Sequence, residues 1–206
     1  MAGSADDIMT EISAATVEPT ETGTDRYVVD GRSSRFTVRA FATGVLAAMG
    51  HNPTIGIRDL SGELKFNPDK LEAGPLKLIA RSSSLSVQDD ISAKDLHEME
   101  RLMNQEVLKT AKFPEIVYQA SNISITKMAD TLFAATLNGN LTLDGVSRSQ
   151  PINVRVALLG SMLRASGDFS LNQTDYDIKP VSVAGGALKL KDELKLSFEI
   201  VARRQE

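Results

Sequence analysis

Leu188-Lys189-Leu190-Lys191-Asp192-Glu193-Leu194-Lys195-Leu196-Ser197-Phe198-Glu199-Ile200-Val201-Ala202 is the stretch that decides the fold. Leu188, Leu190, Leu194, Leu196, Phe198, Ile200 and Ala202 fall on one parity, and Lys189, Lys191, Lys195 and Glu199 on the other. Successive side chains of a strand point to opposite faces, so the segment predicts a strand with one face buried and one in water. The same alternation recurs along most of the chain between turn signals. The expected class is therefore all-β, a closed or sandwiched sheet with an apolar inner face. What fills that interior is the functional question.

Similar strands are expected at Tyr27–Asp30, Ser34–Thr43, Thr54–Phe66, Leu76–Val87, Glu115–Thr126, Thr131–Leu143, Pro151–Leu159 and Met162–Leu171. Asn67-Pro68-Asp69, Met128-Ala129-Asp130 and Asp144-Gly145 punctuate them. From Glu115 onward the connections are short, which favours consecutive antiparallel hairpins. One segment breaks the two-residue period. Between Ser92 and Thr110, Leu96, Met99, Met103 and Val107 fall at helical spacing with Leu102 beside them, while Lys94, Glu98, Arg101 and Gln105 lie elsewhere on the wheel. Ser92 and Asp95 make a capping-box-like start, and Phe113-Pro114 marks the stop. One amphipathic helix is thus expected between two halves of a β domain.

The 206 residues favour a single folded unit. Met1 to Asp25 holds six acids (Asp6, Asp7, Glu11, Glu18, Glu21, Asp25) and no Lys or Arg, so residues 1–25 read as an acidic, disordered tail and 26–206 as the folded domain. Removing those six acids from the 27 leaves 21 against 23 Lys and Arg, a body of about +2, which argues against a nucleic-acid partner. No basic n-region and apolar h-region precede Tyr27, and no apolar run approaches the roughly 20 residues of a spanning helix. A cytoplasmic protein without an integral membrane segment is the expectation. With no cysteine, disulfides, thiol nucleophiles and Cys-based metal sites are excluded.

Catalytic constellations are weak. Only two histidines exist, His51 and His97. His51, in Gly50-His51-Asn52-Pro53, reads as a loop histidine that bonds its neighbours or caps a barrel mouth, the alternative being a metal ligand or base; no second His or Cys offers ligand spacing. His97, between Asp95 and Glu98, reads as solvated. The Gly-x-Ser-x-Gly nucleophile motif is absent. Asp89, Asp90 and Asp95 lack the glycine and distal acid of a calcium loop. Asp175 and Asp177 flank Tyr176 with no acid–base task indicated, and Gly185-Gly186 reads as a turn or bulge. No catalytic residue, metal or resident cofactor is assigned.

Apolar surface is what the chain does offer. Phe36 and Val38; Ile55 and Ile57; Leu64 and Phe66; Leu76, Leu78 and Ala80; Phe133, Ala135 and Leu137; Val154, Val156 and Leu158; Leu196, Phe198 and Ile200 each share a strand parity. They would line one interior, either packed solid or open for one ligand. Alternation alone leaves both readings standing. A filled barrel would act as a structural or interaction protein; an open one would carry a ligand.

Several short motifs run in a fixed order: Tyr27-x-x-Asp30 then Ser34-x-Phe36; Gly50-His51; Ser61-Gly62-x-Leu64-x-Phe66; Ser84-x-Ser86; Lys94-Asp95-Leu96-His97; Phe113-Pro114-x-Ile116; Asn138-Gly139-x-Leu141-Thr142-Leu143-Asp144-Gly145-Val146-Ser147; and Asp175-Tyr176-Asp177-Ile178. In this order the chain from Tyr27 to Ala202 resembles the YceI-like family of lipid-binding proteins. That resemblance implies an extended, lipocalin-like antiparallel β-barrel of about eight strands with one helix. It further implies a pore for a polyisoprenoid, quinone or fatty-acyl amphiphile, bound without catalysis, and a homodimer. The residues that strand parity would then place around that ligand are Phe36, Val38, Ile55, Ile57, Leu64, Phe66, Leu78, Ala135, Leu137, Val154, Val156, Leu196 and Phe198, with His51, Asn52 and Ser84 as candidates at the mouth. Relatives are often exported, which no signal here suggests, and their usual Arg-Asp before the helix reads Lys94-Asp95.

Overall fold

The structure is a computed structural model and describes residues 24–45, 50 and 52–205. The expected disorder of the acidic tail falls on residues outside that set, except that Asp25 already belongs to a strand. The elements are β1 (Asp25–Val29), β2 (Arg35–Arg39), β3 (Ala42–Thr43), β4 (Thr54–Ile57), β5 (Leu60–Asn67), β6 (Glu72–Ala73), β7 (Leu76–Arg81), β8 (Leu85–Val87), α1 (Ala93–Leu102), β9 (Glu115–Ala129), β10 (Leu132–Leu143), β11 (Val146–Ser149), β12 (Ile152–Leu159), β13 (Met162–Asn172), β14 (Ser182–Val183), β15 (Leu188–Leu190) and β16 (Glu193–Gln205).

Eight strands close a ring in the order β1-β5-β7-β9-β10-β12-β13-β16, all antiparallel, with β1 bonded to both neighbours so that Val28 lies opposite Glu63 on one side and Arg203 on the other. Within the closed ring itself no strand is left as an edge. Toward the end of the barrel where β16 begins, β16 pairs instead with β2, β2 with β4, and β4 with β8. The pairs β1 and β2, β4 and β5, and β7 and β8 are therefore three long barrel strands, each broken once. The fold is the expected all-β barrel of eight long strands with one helix.

The breaks correct the strand boundaries read from the sequence. Thr54–Phe66 is interrupted at Arg58-Asp59, Leu76–Val87 at Ser82–Ser84, and Leu188–Ala202 at Lys191-Asp192. Polar side chains that bond to backbone groups outside the ladder accompany them, since such bonds compete with strand pairing. Ser82 Oγ donates to the Phe113 carbonyl at 2.7 Å, and Ser84 Oγ donates to the Arg81 carbonyl at 2.7 Å while accepting from the Asp59 amide. Asp30 accepts from the amides of Arg32 and Ser33 in the turn between β1 and β2. Asp192 accepts from the Thr174 amide at 2.9 Å, which turns the chain out of the barrel so that β15 joins β14 and β3 in a separate three-stranded ribbon. Three of these breaks lie side by side: Asp59 is bonded to Ser84 and Arg81, and a Cβ on Gly31 would meet the Leu60 carbonyl at 2.5 Å. Glycine is required there by the close approach of two backbones.

Helix α1 begins as read, with Ser92 Oγ accepting from the Asp95 amide at 3.1 Å. It ends earlier than Thr110. A π-type turn over Met103–Val107 closes with the Leu108 amide donating to the Met103 carbonyl, and Lys109 then takes a left-handed φ of 44°. Helix and turn cover the stretch beside β8 that β9 does not reach; Glu100 Oε1 accepts from the Val87 amide, and Lys109 Nζ lies 2.6 Å from Asp144 Oδ2 after β10. The Asp175-Tyr176-Asp177 segment belongs to a turn in which Tyr176 is buried.

Candidate functional site: an apolar pore

Two buried clusters line the barrel. Tyr27, Phe66, Phe133, Leu163 and Ala202 gather where β1 begins and β16 ends, and the Phe66 and Phe133 rings meet edge to face at 5.5 Å and 88°. This is the closed end. The larger cluster lines the rest, with Phe36 stacked on Phe198 at 5.8 Å and edge-on to Phe169 at 6.4 Å. Between the walls lies a cavity of about 460 Å³. One water needs roughly 10–15 Å³ of such space, so the interior is a pore of ligand size and not a packed core with defects.

Phe36, Val38, Ile55, Ile57, Leu64, Phe66, Leu78, Ala135, Leu137, Val154, Val156, Leu196 and Phe198 all line this one cavity. The register explains why: Val38 lies opposite Leu196 on one side and Ile55 on the other, and Ala135 lies opposite Val154 and Ile125, so directly facing residues share the inner surface. Two inward glycines give room to rings. A Cβ on Gly139 would meet the Tyr118 hydroxyl at 2.6 Å, and one on Gly167 would meet Phe198 Cζ at 2.8 Å. The two rings occupy space that a side chain at either glycine would fill.

The proposed mouth contacts fare differently. His51 is outside the described residues. Asn52 Oδ1 accepts from the Ala42 amide, and Ser84 is engaged by backbone in its turn; neither lines the cavity. Asp89 Oδ2 accepts from the Thr54 amide at 2.8 Å, and His97 is exposed on α1. Sequence reasoning missed the lining supplied by Met99, Leu102, Met103 and Val107 beside β8, and that of Val181, Val183, Leu188, Lys189 and Leu190 at the ribbon. The helical stripe was visible as a signal, but which wall it faced was not.

Chemically the pore is poor in reacting groups. Its polar members are Tyr27, Tyr118, Gln173, Glu63 and Lys189. The Tyr118 hydroxyl donates toward the carbonyls of Leu137 (3.1 Å) and Gln150 (3.0 Å), and burial pushes its pKa up to about 12. Gln173 Nε2 donates to the Lys191 carbonyl, and Glu63 is held by Arg26. Among the described residues no group of three or more His, Cys, Asp or Glu is placed to hold a metal ion. None of their helices is long and apolar enough to cross a membrane.

A closed antiparallel barrel of eight long strands around one apolar cavity is a lipocalin-like fold. Within that class the family model of the YceI-like domain matches residues 27–202, and the chain belongs to this family. It is 24% identical over 143 residues to a UPF0312 protein of Shewanella baltica, covering 69% of this chain and 68% of that protein. Solved structures of low identity share the fold. A polyisoprenoid binding domain from Saccharophagus degradans superposes with a TM-score of 0.65 at 14% identity, covering 87% of this chain and 98% of the other. Burkholderia cenocepacia BcnA gives 0.62 at 16%, over 84% and 98%. The Campylobacter jejuni YCEI protein gives 0.56 at 18%, over 76% and 88%.

Proposed function

We propose that this protein is a non-enzymatic carrier or store for one amphiphile whose isoprenoid, quinone-tail or fatty-acyl chain lies in the pore. The observation that carries this reading is the continuous cavity of about 460 Å³ with an almost wholly apolar lining. The family and the polyisoprenoid binding domain among its structural neighbours support the ligand class. Physics supports the affinity. The 13-residue β16 is about 43 Å long at 3.3 Å per residue, enough wall to sheath an extended chain. Each buried CH₂ contributes about 0.8 kcal/mol, so ten of them outweigh part or all of the estimated cost of association.

The test is native mass spectrometry of the purified protein followed by organic extraction. A stoichiometric apolar molecule is expected, and the Ala135→Phe variant should carry at least about tenfold less of it, since the new ring would project into the cavity from the wall position between Val154 and Ile125. In an open pore that ring leaves stability nearly unchanged. An empty wild type that refuses added isoprenoids, quinones and fatty acids, with Ala135→Phe destabilised by about 1–3 kcal/mol, would instead show a filled barrel and move the function to its outer surface.

A further inference from the structure

Gln173 lines the pore at its mouth end and is only 4% exposed. Leu171, two residues earlier, lies opposite Leu194, and both line the same wall. The intervening Asn172 is extended, so Gln173 keeps the inward parity of Leu171. Its backbone amide donates to the Asp192 carbonyl at 3.0 Å, which carries the pairing of β13 with β16 one step past their last facing residues, Asn172 and Glu193. A long polar side chain is therefore set among leucines where the barrel opens toward the ribbon.

The bonds of that side chain fix which way its amide faces. Nε2 donates to the Lys191 carbonyl at 2.9 Å and reaches the Asp192 carbonyl at 3.4 Å. Carbonyl oxygens only accept, so nitrogen and not oxygen must stand at that position. Both amide hydrogens are thus committed to backbone, and Oε1 is left as the free end. It has no protein partner among the described residues. Nor is it enclosed, since the enclosed and unpartnered side-chain atoms among them are Asn104 Oδ1 and Asp144 Oδ1. Open surface on a residue that is otherwise buried and lines the pore turns the free lone pairs toward the cavity. The other polar members differ: Tyr118 donates to backbone, Glu63 is paired with Arg26, Lys189 is exposed, and Tyr27 belongs to the closed end.

We infer that Gln173 is the head-group contact of the pore's amphiphile and selects an uncharged head that donates a hydrogen bond, that is, an alcohol. This rests on the carrier reading above and narrows it. A quinone carbonyl or a carboxylate offers only acceptors at neutral pH and would meet Oε1 lone pair to lone pair. A hydroxyl donates to Oε1 while its chain descends along Leu171 and Leu194. An acceptor facing an apolar tube costs free energy until a donor reaches it, so a chain that displaces water from the tube must bring one. No covalent step is involved.

The experiment uses the full chain and two matched pairs, dodecanol with its methyl ether and farnesol with its methyl ether, in competition with a fluorescent apolar dye at neutral pH. The ether keeps the chain and the oxygen but has no proton to donate. For whichever tail binds, the ratio of alcohol to ether affinity should be roughly fivefold larger in wild type than in Gln173→Met, the weight of one neutral hydrogen bond. Loss of the Nε2 bonds to Lys191 and Asp192 alone would weaken alcohol and ether together and leave that ratio unchanged. An unchanged ratio would overturn the contact while leaving the carrier intact. A second readout keeps to wild type and decides the matter if Gln173→Met does not fold: the side-chain amide nitrogen resonance of Gln173 should shift further with bound alcohol than with bound ether. Equal shifts, or none, would overturn the inference there. Failure of all four ligands and the dye to bind would remove the carrier reading and this inference with it.

Discussion

The two ends of this barrel are built by different means. At the closed end, Tyr27, Phe66, Phe133, Leu163 and Ala202 are buried against one another, β1 is bonded on both sides, and Arg203–Asp30 and Arg204–Asp25 pairs lie across the seam. At the mouth the strands are two or three residues long, α1 has no fully buried residue, and Val183 is 44% exposed although it lines the pore. Side-chain packing and long ladders hold one end, and short ribbons, glycine turns and single polar bonds hold the other. Regions with few buried contacts open locally at low free energy. Under the carrier function proposed above, this contrast predicts ligand entry at the ribbon and helix and a limit to its depth at the aromatic cluster.

The strongest blow to that contrast is Phe133→Ala. Removing the ring that meets Phe66 edge to face should lower the unfolding free energy by about 3–5 kcal/mol, measured by urea denaturation of the unliganded protein. A loss below about 1 kcal/mol would mean that the closed end is as loosely built as the mouth. A smaller effect is expected from Lys109→Met. The Asp144 side chain is only 3% exposed and its Oδ1 already lacks a partner; the lysine is the ion-pair partner of the other oxygen. Leaving the carboxylate wholly unpaired should cost about 1–3 kcal/mol, and amide exchange should quicken over Ala93–Val107 before it quickens in β1 or β16. Uniform acceleration across both ends would erase the distinction.

Much of the barrel was legible because parity is a local property: Leu194, Leu196, Phe198 and Ile200 announce their inner face without knowledge of any partner. The ring closure was not, since β1 and β16 lie at opposite ends of the described chain and nothing local to Tyr27 names Arg204 as its neighbour. The breaks were hidden for a related reason. Ser82 reads as a strand residue until its hydroxyl finds the carbonyl of Phe113, and Asp192 reads as a polar outlier until Thr174 arrives. Pore-lining residues were legible as a face, whereas the empty volume between them depends on how eight faces meet. Lys189 was read by parity as a solvent residue and is exposed in β15 between the half-buried Leu188 and Leu190.

A subtler comparison uses the tyrosines, of which the chain has three. Tyr27 at the closed end and Tyr176 near the mouth are each 2% exposed. Burial raises the pKa of both; a neighbouring carboxylate adds to this, Asp25 for one and Asp175 for the other, and a neighbouring guanidinium, Arg204 or Arg148, opposes it. They are matched reporters. A phenol whose folded pKa exceeds its unfolded value of about 10 binds its proton more tightly when folded, so its contribution to stability is complete below pH 10 and declines as pH rises through the folded value. Stability should therefore fall above pH 10, with Tyr118, pushed up to about 12, contributing to the decline until the pH reaches that value. If the mouth opens locally, tyrosinate absorbance after a jump to alkaline pH should develop faster at Tyr176 than at Tyr27, resolved by comparing Tyr176→Phe with Tyr27→Phe. Equal rates in the two variants would mean that both ends open only with global unfolding, and the route of ligand entry would then have to pass through the whole barrel's cooperativity and not through its ribbon.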